Sequence, residues 1–204
     1  MKDYHSISRE PRYGVPVYMF DKLDGSLVRA EWNRKNGFYK FGRRNGLLDD
    51  SNPFLPQAKN LILDKYSESL CRICRDERWQ SAVAFFELWG PHSFAGNHDP
   101  TEKQDVTLFD ISVDKKGILE PRTFLRTFDG KVDHARLLYT GNFTHPIEAE
   151  IRAGTFEGMT FEGVVCKGSY ISPGMPLMFK SKSQAWLDKL RPLCRDEAEF
   201  ERLR

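Results

Sequence analysis

The sequence predicts an α+β fold in which antiparallel sheets are flanked by helices. Strand-like runs follow one another with only short turns between them, one long amphipathic segment separates two groups of strands, and the last residues have helical character. A regular alternation of strands and helices, which would predict a parallel sheet, is not found. With 204 residues, of which 40% are hydrophobic and 29% charged, the chain is long enough for one well-buried core.

Short strands begin the chain. Apolar residues alternate with polar ones, and the runs are broken by the turn-forming pairs Asp24-Gly25 and Asn36-Gly37. This pattern predicts three successive strands in an antiparallel meander, with the ranges Val15–Phe20, Ser26–Asn33 and Gly37–Phe41.

A long helix is predicted next, after the stop signals of Pro53 and Pro56. Within Gln57–Trp79 the apolar residues recur at helical spacing, which predicts one helix packed on a sheet. These apolar positions are Ala58, Leu61, Ile62, Tyr66, Leu70 and Ile73.

The second half of the chain returns to strand character with helices inserted between the strands. Strands are predicted at Ser81–Trp89, Asp105–Val113, Phe161–Lys167 and Met175–Lys180. Short helices are predicted at Asp133–Tyr139, at Pro146–Ala153 and from Gln184 onward, with a break at Pro192.

Charged residues interrupt several of these strands. A solvated position at the edge of a strand explains each charge separately, but it explains the whole set poorly. The set comprises Lys22 before Asp24-Gly25, Glu87 in AVAFFELWG, Glu162 in MTFEGVVCKG, and Lys180 and Lys182 in PLMFKSKSQAW.

The two neighbouring lysines point to an anion. Alternate residues of a strand face the same side, so Lys180 and Lys182 repel each other unless an anion lies between them. Three lysines and two carboxylates suit one phosphate and metal site. Crowding of positive charge is also expected to lower the pKa of one lysine toward neutrality, and a deprotonated lysine is a nucleophile.

The charge of the chain is unevenly distributed although its net value is only +2. The segment Arg29–Arg44 holds six basic residues against the single acid Glu31, with aromatic residues interleaved. That mixture favours phosphate contact and base stacking. A solvated hairpin whose aromatic residues face the core explains it equally well.

Six short motifs then carry a resemblance to a known superfamily. In this order they resemble the motifs of the covalent nucleotidyltransferases, which include the ATP-dependent polynucleotide ligases and the mRNA capping enzymes. KxDG alone would be a weak signal, whereas six elements in order cover nearly the whole chain. The motifs are KLDG at Lys22–Gly25, RNG at Arg44–Gly46, FELWG at Phe86–Gly90, LFDI at Leu108–Ile111, EGVVCK at Glu162–Lys167 and FKSK at Phe179–Lys182.

The resemblance implies a three-step ligation and gives catalytic roles to four residues. Lys22 would attack the α-phosphorus of ATP to form a lysine-AMP, and the AMP would pass to a polynucleotide 5′-phosphate that a 3′-hydroxyl then attacks. Lys180 would neutralise charge at the α-phosphate, and Lys182 would contact phosphate. Glu162 would bind the divalent metal directly or through water, with Mg²⁺ the natural choice beside a triphosphate.

The same resemblance implies four further contacts to the nucleotide. Arg44 would contact phosphate, Glu87 would hold a ribose hydroxyl, and Phe109 would stack on the adenine. Asp21, directly before the nucleophile, would accept a hydrogen bond from the adenine amino group. Together with the three lysines, these residues form the predicted ATP site.

The branch of the superfamily is indicated by one position. DNA ligases usually carry an arginine five residues after the nucleophile, where this chain has Leu27, and KLDGSL is similar to the form found in RNA ligases. An RNA ligase is therefore favoured over a DNA ligase. A non-catalytic nucleotide- or RNA-binding module is a further alternative, less favoured because binding alone requires no nucleophile.

Residues 1–204 are predicted to form one adenylylation domain with a short helical tail at 184–204 and no OB-fold. Substrate binding would then come from the domain, the tail or an accessory protein. No segment approaches the roughly 18 to 20 apolar residues of a membrane span, and no signal peptide is evident. We expect a cytoplasmic protein without a membrane partner, acting on RNA with 5′-phosphate and 3′-hydroxyl ends, as in RNA repair.

Overall fold

The computed structural model describes residues 1–44, 46–48, 56–91, 101 and 103–204; Asn45 of the RNG motif and Pro53 lie outside these ranges. The strands are β1 (Pro16–Lys22), β2 (Gly25–Asn33), β3 (Gly37–Arg43), β4 (Gly46–Leu47), β5 (Ser81–Trp89), β6 (Asp105–Val113), β7 (Gly117–Ile118), β8 (Leu137–Asn142), β9 (Gly163–Ser172) and β10 (Met175–Lys182). The helices are α1 (Pro56–Asp76), α2 (Pro121–Phe128), α3 (His145–Ala153), α4 (Gln184–Leu190) and α5 (Glu197–Leu203), with a 3₁₀ turn at Arg191–Leu193.

The strands form two sheets. One has four strands in the order β10-β9-β1-β8, and the other has six in the order β4-β3-β2-β5-β6-β7. Every pair of neighbouring strands within these sheets is antiparallel. The predicted α+β class, with antiparallel sheets and flanking helices, is confirmed.

The predicted meander is wrong for its first strand. β1 pairs with β8 and β9, whereas β2 pairs with β3 and β5, so the chain leaves one sheet and enters the other between Lys22 and Gly25. Asp24 is buried at this crossing. The Asp24-Gly25 pair therefore connects two sheets rather than forming a hairpin turn, because the edges of β1 are already occupied by more distant strands.

The predicted long helix is confirmed and ends three residues before the predicted limit, at Asp76. Its apolar face packs on the six-stranded sheet, where the Tyr66 hydroxyl also donates a hydrogen bond to the Val106 carbonyl at 3.1 Å. Trp32 of β2 and Phe86 of β5 lie fully buried in the same core. One face of the six-stranded sheet is thereby covered.

A second prediction is wrong at Asp133–Tyr139, where a helix was expected. The chain forms β8 at Leu137–Asn142, and the helix lies earlier, at Pro121–Phe128. β8 fills the free edge of β1 and exchanges hydrogen bonds with a strand more than a hundred residues away. A pairing between such distant strands leaves no pattern in the local sequence, so the segment could not be recognised as a strand. The predicted helices near Pro146 and after Gln184 are confirmed as α3, α4 and α5.

The four-stranded sheet has its own core, which lies against α3 and includes Val17, Met19, Val164 and Phe179. Because side chains alternate along a strand, Lys22, Lys180 and Lys182 point to the opposite face. Glu87 likewise points away from the core beneath the six-stranded sheet. These two faces meet around the Lys167–Asp110 ion pair, and the space between them that Lys22, Lys180, Lys182 and Glu87 face is called the cleft below. Among the described residues, no helix is both long and apolar enough to cross a membrane.

The glycine of the KLDG motif has a steric explanation that can be tested. A Cβ on Gly25 would lie 2.2 Å from the Leu88 carbonyl oxygen, whereas a Cβ on Gly46 would meet nothing closer than Arg43 Nε at 3.9 Å. We expect Gly25→Ala to lower the free energy of unfolding by about 1 to 3 kcal/mol, as overpacking does. Gly46→Ala, the control, should stay within about 0.5 kcal/mol of the unmodified protein. Urea unfolding measures both, and equal stability of the two variants would contradict the steric explanation.

Candidate active site

Three strands bring the predicted catalytic residues together. Lys22 ends β1, Lys182 ends β10, and both pair in register with Gly163 of β9, one from each side. Glu162 directly precedes β9. Lys180 lies two residues before Lys182 on the same face of β10. Residues separated by up to 160 positions in the sequence thus meet at one point of the cleft.

Glu162 bridges two of the lysines. Lys22 Nζ lies 2.8 Å from Glu162 Oε2, and Lys182 Nζ lies 2.9 Å from Glu162 Oε1. The carboxylate is almost completely buried. Burial by itself would raise the pKa of Glu162, but the charges of Lys22 and Lys182 and their hydrogen bonds outweigh burial and lower that pKa. Glu162 is therefore ionised in the folded protein.

The lysines divide into two classes by pKa. Burial lowers the pKa of Lys22, but Glu162 and Glu87 outweigh it, so the pKa of Lys22 is raised overall. Burial, followed by the charges of Lys182 and Lys22, lowers the pKa of Lys180 to about 7. Burial likewise lowers the pKa of Lys182 to about 8. The expected shift toward neutrality thus falls on these two lysines and not on Lys22.

The tail contributes two acceptors that the sequence did not predict. Lys180 Nζ donates to the Arg204 carbonyl and Lys182 Nζ to the Leu203 carbonyl, each at 3.1 Å. Helix α5 is held in this position by Phe200, which is buried against Trp186 and Leu190 of α4. The two lysines that were predicted to contact phosphate are therefore engaged by backbone oxygens.

Glu87 faces the cleft from the six-stranded sheet, where it pairs in register with Leu27. Burial is the main cause that raises the pKa of Glu87 to about 8, and the charge of Lys22 only partly opposes this shift. Arg44, whose charge also lowers the pKa of Glu87, is exposed at the edge of the same sheet. Glu87, the predicted ribose contact, therefore interacts electrostatically both with Lys22 and with Arg44, the predicted phosphate contact.

Asp21 does not join this group. Its Oδ1 accepts hydrogen bonds from the Thr160 amide at 2.8 Å and from the Thr160 hydroxyl at 2.9 Å, and its Oδ2 lies 3.0 Å from Arg136 Nη2. As the strand neighbour of Lys22, Asp21 points to the other face of β1. Both carboxylate oxygens hold neighbouring segments in place, and the hydrogen bond from Asp21 to adenine stays a prediction.

Phe109 lies at an irregularity in β6. Phe85 pairs with Asp110 and Phe86 pairs with Leu108, so Phe109 is left without a partner on β5. Its carbonyl instead accepts a hydrogen bond from Lys167 Nζ at 2.7 Å. A bulge of this kind redirects a side chain, and bulges are common beside active sites.

Lys167 and Asp110 form a buried ion pair that links the two sheets, with Lys167 Nζ 2.9 Å from Asp110 Oδ2. No role for this pair was predicted, although both residues belong to quoted motifs. The signal was present: each is a charged residue inside an apolar strand, the same criterion that selected Lys22 and Glu162.

The basic segment Arg29–Arg44 is a hairpin, and three of its four aromatic residues pack in or against the core. Trp32 and Phe41 are buried, and the exposed Tyr39 donates its hydroxyl to Glu31 at 2.7 Å. Arg29 is also buried and donates to the Arg43 carbonyl at 2.7 Å. Of the two interpretations of this segment, the geometry therefore favours the solvated hairpin over a base-stacking surface.

The donor set limits how a divalent metal can bind. Among the described residues, no group of three or more His, Cys, Asp or Glu side chains is arranged to hold a metal. Glu162 provides one carboxylate. Mg²⁺ commonly uses one or two carboxylates together with substrate phosphates and water, so Glu162 fits a metal that arrives with a nucleotide.

The structure thus consists of two antiparallel sheets with a cleft between them, and Lys22 lies in that cleft. This arrangement can be compared with solved structures. No protein-family model matches the sequence, and no curated protein matches it. Solved structures of an RNA ligase from Naegleria gruberi do match. A mutant in its apo form has a TM-score of 0.64 at 20% identity, covering 92% of this chain and 57% of that one. A second apo mutant has a TM-score of 0.63 at 21% identity, covering 91% and 57%.

A third structure of that ligase, a mutant solved with ATP and Mn, has a TM-score of 0.61 at 21% identity and covers 91% of this chain and 57% of that one. This chain thus spans little more than half the length of the ligase it matches. The likeness shows that this chain shares the fold of that RNA ligase, which agrees with the fold that the motifs predicted.

The lowered pKa of Lys180 predicts a pH-dependent stability. Its pKa is about 7 in the folded protein against an ordinary value of 10.5, so the unfolded chain binds the extra proton between these values. The destabilising effect of Lys180 is therefore complete below about pH 7 and fades as the pH rises toward 10.5. We expect Lys180→Met to raise the free energy of unfolding by about 1 to 3 kcal/mol at pH 7 and by less at pH 10.

Lys65→Met is the matched control, because Asp105 and Asp133 together outweigh burial and raise the pKa of Lys65. This control should lose a little stability at pH 7 instead of gaining it. Urea unfolding at the two pH values measures both variants. A Lys180→Met variant whose gain is the same at both values would show that the lysine is not titrating as described.

Proposed function

We propose that the protein is an ATP-dependent RNA ligase that acts through a lysine-AMP intermediate. The observation that carries the proposal is the position of Lys22, which is held at the end of a strand, with its side chain 20% exposed, against a buried carboxylate. A fold shared with an RNA ligase supports it. The three lysines and two carboxylates that meet in the cleft are the residues that the motifs selected.

In the first step the Lys22 amine attacks the α-phosphorus of ATP. A nitrogen–phosphorus bond forms, the bond from the α-phosphorus to the bridging oxygen breaks, and pyrophosphate leaves. The Lys22 ammonium group must first release a proton to solvent, and the raised pKa of Lys22 opposes this. Glu162 is a main cause of that raised pKa. When Glu162 binds another cation instead of Lys22, the pKa of Lys22 falls, and Lys22 becomes a better nucleophile. A bound Mg²⁺ would supply positive charge at the phosphates, with Glu162 as its protein ligand.

Lys180 and Lys182 serve as the phosphate-binding groups. Their pKa values are lowered because they are buried close to other positive charges. A triphosphate reverses this situation, since a nearby anion favours the protonated amine. Phosphate oxygens would take the place of the Leu203 and Arg204 carbonyls as acceptors. The two ammonium groups then stabilise the charge that develops at the α-phosphate.

Glu87, Arg44 and Phe109 hold the rest of the nucleotide. Glu87, with a pKa of about 8, is largely protonated at neutral pH and so can both donate to and accept from a ribose hydroxyl. Phe109 is partly exposed at its bulge and offers a flat surface to the adenine. Arg44 adds a further positive charge for the outer phosphates.

In the later steps the AMP passes to the 5′-phosphate of an RNA end, and a 3′-hydroxyl displaces it to close the phosphodiester. The preference for RNA rests on Leu27, which occupies the position where DNA ligases carry an arginine. Leu27 pairs with Glu87, so this position lies beside the proposed ribose contact. An accessory protein that helps to hold the RNA is part of the proposal. DNA ends are the alternative substrate.

The first test is covalent labelling. With magnesium and labelled ATP, we expect a protein–AMP adduct that is acid-labile and alkali-stable, as a phosphoramidate is, and we expect Lys22→Ala and Lys22→Arg both to lose it. Lys22→Arg keeps the positive charge beside Glu162 and so separates nucleophilicity from charge. Lys65→Ala, which removes an ion-paired lysine outside the cleft, should label normally. Normal labelling of Lys22→Ala would refute the mechanism.

The second test concerns the sugar. We expect sealing of 5′-phosphorylated substrates to require ribose at one or two of the nucleotides that end in the 3′-hydroxyl, because the 2′-hydroxyl is what distinguishes RNA from DNA at a given position. Substrates identical except for ribose or deoxyribose at those nucleotides are compared by gel. Equal or faster sealing of the deoxyribose substrate would transfer the proposal to a DNA ligase.

A further inference from the structure

The first residues of the chain run along the cleft face of the six-stranded sheet. Residues 1–9 are called the N-terminal arm below. The amino group of Met1 lies 3.6 Å from Glu31, and the Lys2 carbonyl accepts a hydrogen bond from Arg29 Nη1 at 2.9 Å. At the other end of the arm, the Ser8 carbonyl accepts from the Lys180 amide at 2.9 Å. The arm therefore crosses from β2 to β10 and passes through the cleft.

Tyr4 is the residue of the arm that enters the cleft. Its hydroxyl donates a hydrogen bond to Asp110 Oδ2 at 2.7 Å, the same oxygen that lies 2.9 Å from Lys167 Nζ. Burial, followed by the charge of Asp110, raises the pKa of the Tyr4 hydroxyl, so the hydroxyl remains a donor. The charges of Glu87 and Arg44 also influence this pKa, which places Tyr4 close to the proposed nucleotide contacts.

The ring of Tyr4 contacts Phe109. The two ring centroids are 5.1 Å apart at an interplanar angle of 85°, an edge-to-face arrangement. Tyr4 also packs against the fully buried Phe85, with ring centroids 4.9 Å apart, and the rings of Phe85 and Phe109 lie 6.4 Å from each other. The three rings form one cluster, in which Tyr4 contacts both the buried Phe85 and the partly exposed Phe109.

Within the sheet, the ring of Phe109 is supported by the ring of Phe85 at 6.4 Å, and Tyr4 adds a second contact. Phe109 is the unpaired residue of the bulge in β6, and its carbonyl is held by Lys167. The regular pairing that fixes neighbouring strand residues is interrupted there. The backbone of Phe109 is therefore positioned by Lys167 and its ring by Tyr4 together with Phe85, and Tyr4 and Lys167 are bound to the same oxygen of Asp110.

We propose that Tyr4 is a positioning residue that sets the ring of Phe109 for stacking on the nucleotide base. This inference rests on the proposed function, since it assigns Phe109 to the base. Tyr4 acts through Phe109, and its removal loosens base binding without changing the chemistry at Lys22. No motif of the sequence indicates this role, because Tyr4 stands in a segment without strand or helix periodicity.

The experiment measures adduct formation as a function of ATP concentration. We expect Tyr4→Ala to raise the ATP concentration at half-maximal rate by about 5- to 10-fold, with the rate at saturating ATP close to that of the unmodified protein. Tyr4→Phe keeps the ring and loses only the hydroxyl, with its bonds to Asp110 and to Met178 Sδ, so its increase should be about 2- to 3-fold. The same two variants are compared by urea unfolding, and Tyr4→Phe keeps the test decisive if Tyr4→Ala folds poorly.

Tyr13 provides the matched control. Its hydroxyl also donates to a carboxylate, that of Glu148, and its ring also stacks on another ring, that of His145 at 3.7 Å. Because Tyr13 lies at α3, away from the cleft, Tyr13→Ala and Tyr13→Phe should leave the ATP dependence unchanged.

A role through Phe109 has a further signature. In a Phe109→Ala background, Tyr4→Ala should have no additional effect on the ATP dependence, because the residue that it positions is absent. The same fold-change in both backgrounds would overturn the proposal, as would an unchanged ATP dependence in Tyr4→Ala. A lower half-maximal concentration would also overturn it, since it would show that the arm obstructs the pocket.

Direct binding separates this inference from the proposed function. Calorimetric titration with ATP needs no chemical step, so the ratio of dissociation constants for Tyr4→Ala and the unmodified protein can be measured even without an adduct. A protein that binds ATP but never labels would refute the ligase mechanism, and the Tyr4 proposal would still be decided by that ratio.

Discussion

Two lysines share one buried carboxylate, and the rest of the site is arranged around that interaction. Glu162 lies within 2.9 Å of both Lys22 and Lys182, and these lysines flank Gly163 from opposite sides of β9. Removing one partner of a buried ion pair commonly costs about 3 to 5 kcal/mol, because the remaining charge is left uncompensated. Since Glu162 cannot neutralise three lysines, the cleft keeps an excess of positive charge.

That excess explains the other features of the cleft. Lys180 and Lys182 have lowered pKa values, and both donate to carbonyl oxygens of the tail. The Leu203 carbonyl oxygen carries only a partial charge, so it is a weak substitute for a phosphate. A polyphosphate would satisfy the same donors more completely. The electrostatics of the protein without a ligand therefore favour a phosphate-bearing ligand at the position where the fold places the lysines.

The two ends of the described chain close this cleft from different sides. The arm reaches it through Tyr4, and the tail reaches it through Leu203 and Arg204. The two segments also meet, because Arg9 Nη2 donates to the Arg202 carbonyl at 3.1 Å. The environment of the proposed nucleotide site is thus completed by segments outside the six motifs. Both segments are held by hydrogen bonds to the sheets. The arm has no helix or extended strand of its own.

The sequence by itself determined the class of fold, the long helix and most of the charged residues of the site, because a charge within an apolar strand is visible locally. The same criterion, applied further, would have found Asp110 and Lys167. It could not place β1 and β2 in different sheets or recognise β8 as a strand, because the partners of those strands are far away in the sequence. Nor could it show that Asp21 is occupied by Thr160 and Arg136, or that Tyr4 supports Phe109. Only the tertiary structure decided these points, since contacts between distant segments leave no periodic signal in either one.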